Sequence, residues 1–573
     1  MFLWIECSLA LLCLLLALFI SNRSWTWAVR IEEAFCRIAE RRTASVILVG
    51  LLALAARLAI LPLMPVPHPT INDEFSFLLA SDTFAHGRVA NPPHPMWVHF
   101  ENLHVLQQPT FASMYPPAQG VFLAIGQRIT GHPFAGVCFV VAIFCAATCW
   151  MLQGWTSPSL ALLGGLLAII HFDMFSYWAS SYWGGAAAAL GGALLLGAVP
   201  RIRKSQTPTA AVIMGVGLAI LANSRPYEGL LLAIPVAVWL LIWLLQKRGG
   251  DLLNQALRVV LPLFLILLIT ASAMGYYFWR VTGNPLIMPQ VLERNIYAVA
   301  PYFLWQSPRP VPAYHHPFLR NFYVGTELAF YESNRTIVSI AALTIVKIFN
   351  TWLFYLGPLL TLPLLASVFA TPRKFSWAKM DRDTRFLLIV VAWFLLGLAC
   401  EVFFFPHYAA PMASLLFALA MRALGYLRQL EWHARPVGLF LSRSVPTLLL
   451  ILVALRCAST PLHLTVRSDW PPMWYNSIPT VPSRAKVLAE LKQISGKHLV
   501  LVQYGTTSRS RNQWVYNDAD VDASRVVWAW DMGPTRNRQL LDYFKDRRVW
   551  SVDPDRETAE LAPYPADAAT TRP

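Results

Sequence analysis

The sequence is punctuated by apolar runs, each close to the length a helix needs to cross about 30 Å of hydrocarbon. They lie near residues 2–20, 44–64, 133–152, 157–172, 184–200, 208–222, 229–246, 258–279, 353–370, 386–405, 409–426 and 444–459. A lipid interior offers no water to backbone N–H and C=O groups, so a crossing segment must be a helix or part of a closed barrel. Unbroken apolar runs of this length are helices, and about twelve of them predict a polytopic α-helical membrane protein. The composition agrees: 56% of residues are hydrophobic and 13% are charged, about half the charged share of ordinary soluble domains. Several runs are short and predict helices that tilt or are covered by neighbours.

The first run, MFLWIECSLALLCLLLALFI, has no basic segment before it and no small-residue cleavage site after it. It reads as a retained helix rather than an export signal. Lys and Arg collect in five short connections. These are the segment 21–43 (Arg23, Arg30, Arg37, Arg41, Arg42), residues 201–204, Lys247 and Arg248, residues 371–385, and the stretch with Arg428, Arg435 and Arg443. Basic loops mark the cytoplasmic side, and the twelve spans put all five there. Residues 65–132, 173–183, 223–228, 280–352, 406–408 and everything after about 460 then face the exported side of an inner (plasma) membrane. The net charge of +15 is accounted for by this topology and by anionic lipid, so it does not call for a nucleic-acid partner, and none is expected.

Three units result: an extra helix with a basic segment (1–43), a transmembrane body with two long exported loops (44–459), and an exported C-terminal segment (460–573). In the last, HLVLVQY (498–504), RVVWAWDM (525–532) and RVWSVD (548–553) alternate with RNRQLLDYFKDR (536–547), predicting a small three-stranded α/β domain. YNDADVDAS (516–524) lacks the Gly and terminal Glu of a calcium loop, and APYPADAATTRP (562–573) reads as disordered. Most cysteines lie in apolar runs and the exported loops hold no pairable set, so no disulfide framework is expected. Cys145 and Cys149 share a helix face and read as packing.

Loops longer than about 15 residues usually carry function or structure of their own. The first, 65–132, opens with MPVPHPTINDEFSFLLASDTFAHG (64–87), where Asp73 and Glu74 stand side by side. Phe75, Leu78, Leu79 and Phe84 form a helical stripe, predicting an amphipathic helix on the membrane face, closed by Gly87. Two readings of the acidic pair stand together. Asn72 or Asp73 caps the helix while Glu74 complements its dipole, or one carboxylate caps while the other acts chemically. The loop histidines His86, His94, His99 and His104 show no metal-ligand spacing and read as interfacial polar groups. The second loop, 280–352, mixes aromatics, prolines and cations, and its apolar end TIVSIAALTIVKIFN (336–350) is expected to lie along the interface. Two short turns add Arg225 with Glu228, and His407 with Tyr408, at span ends where ionisable groups often contact substrate. An Arg225–Glu228 ion pair and a capped turn at His407 are the plain alternatives.

NDEFSFLLASDTFAHGRV and YPPAQGVFLAIGQRITG, with LANSRPYEGLLL and FPHYAAP, stand in an order that resembles the GT-C membrane glycosyltransferases. The likeness is to the protein O-mannosyltransferase and aminoarabinose transferase group, and it covers roughly residues 44–426. It implies a polyprenyl-phosphate-linked sugar donor and a lipid, glycan or protein acceptor. It also implies an acidic general base at the start of the first exported loop, here Asp73, with Glu74 supporting or sharing the role. Arg225, Arg88 and, less directly, His407 become candidates for the leaving phosphate, with Glu228 and Tyr408 beside them. Many relatives place a basic residue or histidine before the PP pair; this chain has Tyr115, so Gln119 or Arg128 would have to substitute. Relatives that use monophosphate donors generally need no metal, whereas some with pyrophosphate-linked donors use a divalent ion. A polyprenol-linked glycan ligase or polymerase, and a transporter, are the competing classes. The first typically exposes a late loop, and the second would carry charges mid-membrane, where this chain has chiefly Arg57.

Overall fold

In the computed structural model, residues 1–573 are described except 20–25, 371–379, 434, 467–471, 506–512, 557 and 566–573. Each of the twelve apolar runs folds as helix, from Phe2–Leu18 to Val437–Cys457. Among the described residues, eight helices are long and apolar enough to cross a membrane. Seven correspond to expected runs; 2–17, 158–174 and 208–222 are helical but shorter.

The eighth is Ile337–Tyr355, which the sequence pattern laid along the interface. Its Lys347 ammonium donates to the carbonyls of Leu398, at 3.0 Å, and Glu401, and its Tyr355 hydroxyl to the carbonyl of Pro406 at 2.7 Å. Those acceptors lie at one end of the helices Arg382–Ala399 and Ala413–Leu427. The helix is tied to these neighbours at two points along its length, and Ile337, Val338 and Ile345 are exposed.

Small residues bring the helices close. A Cβ on Gly126 would lie 2.0 Å from the backbone N of Gly136, and one on Gly192 would lie 1.9 Å from the carbonyl O of Pro411. The second contact seats the turn Pro406–Met412, which carries His407 and Tyr408, against the helix Ala186–Ser205. Arg57 is buried in the bundle, bonded to the carbonyls of Met64 at 3.2 Å and Met174 at 3.5 Å, over the Phe134 ring.

Loop 65–132 folds as the helix Asn72–Ala85, a turn at Trp97–Phe100, the two-residue strands β1 (Val105–Leu106) and β2 (Ala112–Ser113), and the helix Ala118–Thr130. The helix Asn72–Ala85 does not rest on the membrane as an amphipathic stripe. Its buried positions, Glu74, Ser76, Leu79, Ala80, Ser81, Thr83 and Ala85, fall all round it. Phe75 stacks on Tyr516 at 4.3 Å and Phe77 on Tyr115 at 4.5 Å. A helix covered on several sides needs no polar face.

The C-terminal segment forms a sheet in the order β4 (Val526–Trp530), β3 (His498–Val502), β5 (Arg548–Val552), β6 (Ala562–Pro563). β3 is parallel to β4 and β5, and β6 pairs antiparallel at the edge. HLVLV and VVWAW are buried throughout, as parallel strands covered on both faces must be. The edge strand is one more than expected, and it comes from a tail read as disordered; residues 566–573 lie outside the described residues.

Gly192→Ala is expected to cost about 1–3 kcal/mol, the usual range for overpacking, because backbone and not a flexible side chain opposes the new methyl. Thermal unfolding in detergent would show the loss, while Gly325→Ala, with nothing within 4 Å of its Cβ, should leave the midpoint in place.

Candidate functional site

The two adjacent carboxylates are separated by the geometry of a helix start. Residues one apart on a helix project about 100° from each other, so Asp73 and Glu74 face different surroundings. Glu74 turns back on its own N-terminus. One oxygen accepts from the backbone N–H of Thr70 at 2.7 Å, the Thr70 hydroxyl at 3.1 Å and the N–H of Ile71 at 3.2 Å. The other accepts from the N–H of Tyr182 at 3.0 Å. It is 1% exposed. Neither Asn72 nor Asp73 caps the helix, because Ile71 is the N-cap residue and Glu74 supplies the capping carboxylate.

Asp73 faces away from these donors, and its side chain keeps 25% of its exposure. The Tyr115 hydroxyl donates to its Oδ1, and His104 Nδ1 lies 3.4 Å from the same oxygen. The Tyr115 hydroxyl is also 3.2 Å from His104 Nδ1, so three polar groups close a triangle. His104 sits at φ +64°, a region uncommon for residues other than glycine and costly when held there. Its carbonyl accepts from the Ser76 hydroxyl at 2.6 Å and from Met114 N–H at 3.2 Å. Its ring meets Tyr115 and Phe322 edge-on.

Burial alone would push the Asp73 carboxyl up, but His104, the Tyr115 hydroxyl and Arg225 outweigh it and hold it below the carboxylate range. Burial would push His104 down, but Asp73 foremost, with Glu293 and Glu327 behind it, raises it above 6.5. Tyr115 is raised well above its usual value by burial and by Asp73, so it stays a hydrogen-bond donor. The pairing therefore favours the charged forms of both groups, a carboxylate at Asp73 and a protonated ring at His104.

Arg225 precedes the helix Pro226–Leu245. Its guanidinium lies 4.1 Å over the Tyr408 ring, and Nη1 is 3.4 Å from Glu228. The side chain is 26% exposed while Glu228 is 6% exposed, so the ion pair coexists with an open guanidinium face. Beside this pair stands Glu401, whose Oε2 is buried with no hydrogen-bond partner among the described residues. From the second loop, Arg294 pairs with Glu327 at 2.7 Å over the Tyr302 ring.

Other expected site residues lie elsewhere. Arg88 follows the far end of the Asn72–Ala85 helix, which separates it from Asp73 by about 20 Å at 1.5 Å per residue. His407 is 2% exposed in an aromatic box, with Trp183 at 4.6 Å, Tyr408 at 5.2 Å and Phe405 at 5.7 Å, and its Nδ1 is 3.1 Å from the Tyr177 hydroxyl. Enclosed this way, it shapes the Tyr408 turn and offers no open cation. Gln119 is spent on the Tyr182 carbonyl at 2.9 Å, and Arg128 lies in the exposed last turn of its helix. The residue that sequence reasoning missed is His104, grouped there with interfacial histidines. No spacing signals it, because it reaches Asp73 only through the fold.

The loop histidines do not converge. His94 meets Asp522 at 3.1 Å, His99 lies 3.3 Å from the Trp530 carbonyl, and His86 pairs with Asp82. Among the described residues no three His, Cys, Asp or Glu side chains gather to hold a metal ion. Glu228 and Glu401 both lie within the field of Arg225. A cavity of about 1680 Å³ lies at another place in the bundle, among Trp27, Glu32, Trp155, Arg422 and Arg443.

No protein-family model matches the sequence, and no curated protein matches it. Among solved structures, the chain is similar to the oligosaccharyltransferase of Archaeoglobus fulgidus tethered to an acceptor peptide. The TM-score is 0.47, identity is 11%, and 89% of this chain and 68% of that one are covered. It is likewise similar to archaeal AglB of the same organism with an inhibitory peptide and a dolichol-phosphate (TM-score 0.44, 11% identity, 89% and 69% covered). ArnT from Cupriavidus metallidurans in the apo state gives a TM-score of 0.46 at 14% identity, with 89% and 93% covered. Likeness at this distance bears no weight in assigning the chemistry, which has to come from the side chains.

The two shifts make a pH signature. A raised His104 contributes stability that is fully present below its ordinary 6.5 and is lost as pH rises through the folded value. A lowered Asp73 contributes stability that is present above its ordinary 3.8 and is lost as pH falls. The stability difference between wild type and His104→Gln should therefore be greatest between these limits and shrink above pH 6.5. Unfolding curves across pH measure it; a difference that grows on the alkaline side contradicts the pairing.

Proposed function

We propose that the protein is an inverting membrane glycosyltransferase that moves a sugar from a polyprenyl-phosphate donor to an acceptor hydroxyl, with Asp73 as general base. The observation that supports this most is the setting of Asp73, a partly exposed carboxyl held toward its charged form, oriented by Tyr115 and His104, with the cation of Arg225 nearby. The motif order quoted above supplies the donor class, and the reading places this site on the exported side, with the C-terminal unit there too.

In the reaction, the acceptor oxygen attacks the anomeric carbon from the face opposite the phosphate. The bond from that carbon to the phosphate oxygen breaks, and its electron pair leaves with the lipid phosphate. The acceptor proton passes to Asp73. A hydroxyl becomes acidic as its new C–O bond forms, so a carboxylate in hydrogen-bond reach suffices as base. Direct displacement inverts the anomeric centre. The leaving phosphate gains negative charge, and Arg225, preset over Tyr408 and Glu228, meets that charge without reorganising. Glu74 does no chemistry in this scheme: with its oxygens filled by four donors, it sets the helix start that aims Asp73.

Reconstituted protein given a panel of polyprenyl-phosphate sugars tests the reading. Asp73→Asn, which keeps the size and loses the base, should lower kcat by about 10²–10⁴-fold with donor binding intact. Arg225→Gln should weaken donor use, and turnover should survive chelation of divalent ions. Full activity of Asp73→Asn would sink the base assignment, and no transfer from any donor would favour a ligase or transporter.

A further inference from the structure

The C-terminal unit does not hang from the bundle as an appendix. It grips both pieces of chain that carry the Asp73–His104 pair. The first is the strip Glu101–Leu103, directly before His104. The Trp530 indole N–H donates to the Glu101 carbonyl at 2.6 Å, and the Asn102 amide donates to the Val515 carbonyl at 2.7 Å. Leu103 N–H donates to Gln513 at 3.1 Å, and the Leu103 carbonyl accepts from the Tyr516 hydroxyl at 3.3 Å. Tyr516 is itself bonded to Gln513 at 3.0 Å. Three successive residues are thus held by one partner, immediately ahead of a residue at φ +64°.

The second piece is the helix of Asp73. Tyr516 stacks on Phe75 with ring centroids 4.3 Å apart and planes 4° off parallel. Arg484 lies over Phe75 at 4.8 Å and Trp528 at 4.7 Å, and donates to the carbonyls of Trp514 at 2.9 Å and Tyr516 at 2.8 Å. Further along, Asp82 accepts from Ala519 N–H at 2.8 Å. Asn102, Gln513 and Tyr516 are all less than a tenth exposed.

We propose that the C-terminal unit sets the register of His104 against Asp73, and that Asn102, Gln513 and Tyr516 are positioning residues for the site. Tyr516 is the hinge of the arrangement, because its ring sits on the Asp73 helix while its hydroxyl holds the His104 strip. Only the activity arm of the test rests on the glycosyltransferase reading. Displacing one partner of a catalytic pair by about 1 Å can cost about 10²-fold in rate, so a clamp remote from substrate still acts on turnover.

The test is an Asn102→Ala/Tyr516→Phe double variant of the full chain, in lipid nanodiscs. Phenylalanine keeps the stack on Phe75 while removing the hydroxyl. The charged and titratable groups facing His104 are Asp73, Tyr115, Glu293 and Glu327, and none is altered. Histidine C2 hydrogen–deuterium exchange, read by mass spectrometry over pH, gives the His104 midpoint without any substrate. The midpoint should drop by about one pH unit, the scale on which one ionic contact moves a group. With donor and acceptor present, kcat should fall tenfold or more at unchanged KM.

Lys497→Ala, which removes a surface pair with Asp546 on the same unit, should move neither readout. An unshifted His104 midpoint in the folded double variant overturns the proposal, as does an equal shift in Lys497→Ala. Should the double variant not fold, Tyr516→Phe alone is held to the same criteria. If Asp73→Asn stays active while the midpoint still moves, the base assignment fails and the register survives.

Discussion

The site depends on the burial of one carboxylate, Glu74, under four donors. A charge taken out of water survives only if its lone pairs are filled, and here the N–H groups of Thr70, Ile71 and Tyr182 and one hydroxyl fill them. That demand fixes where the helix Asn72–Ala85 begins and ties it to residue 182. The neighbouring carboxylate is then carried about 100° round the helix, into the space shared by His104, Tyr115 and Arg225. Two acidic residues in a row look redundant in sequence. In space one anchors and the other is presented.

Around Asp73 the electrostatics are arranged in depth. His104 and Tyr115 touch it, and Arg225 acts from further off. Glu293 and Glu327 act on His104 from the second loop. In a low-dielectric interior such terms reach further than in water, so the balance at Asp73 depends on pieces of chain more than 200 residues apart. The φ of His104 belongs to the same account. A strained backbone persists only where its surroundings over-determine it, and the bonds from Ser76, Met114 and the clamp on residues 101–103 do so.

The membrane part and the C-terminal sheet have different tasks in this arrangement. The bundle supplies close helix contacts at glycines and a turn, Pro406–Met412, wedged against Gly192. The helix Ile337–Tyr355 is tied to its neighbours through Lys347 and Tyr355. The sheet covers the first loop from the other side, which is why the Asn72–Ala85 helix is packed all round and shows no amphipathic stripe.

The apolar runs alone determined that this chain is a bundle of membrane helices, because unbroken apolar runs of that length satisfy their backbone in lipid as helices and not as barrel strands. The small α/β tail was equally legible from HLVLV and VVWAW, whereas the parallel pairing of its strands came from the fold. Asp73, Glu74, Tyr115, Arg225 and Tyr408 were also visible, as ionisable or aromatic groups at span ends and in a long loop. Local pattern could not divide the roles of Asp73 and Glu74, send Arg88 about 20 Å away or enclose His407. Nor could it join His104 to Asp73 across 31 positions, or bring Tyr516 onto Phe75. Those facts belong to the tertiary structure. Helix and span signals repeat over neighbouring residues and can be read locally, whereas a pair such as Asp73 and His104 is a coincidence in space of groups that only folding brings together.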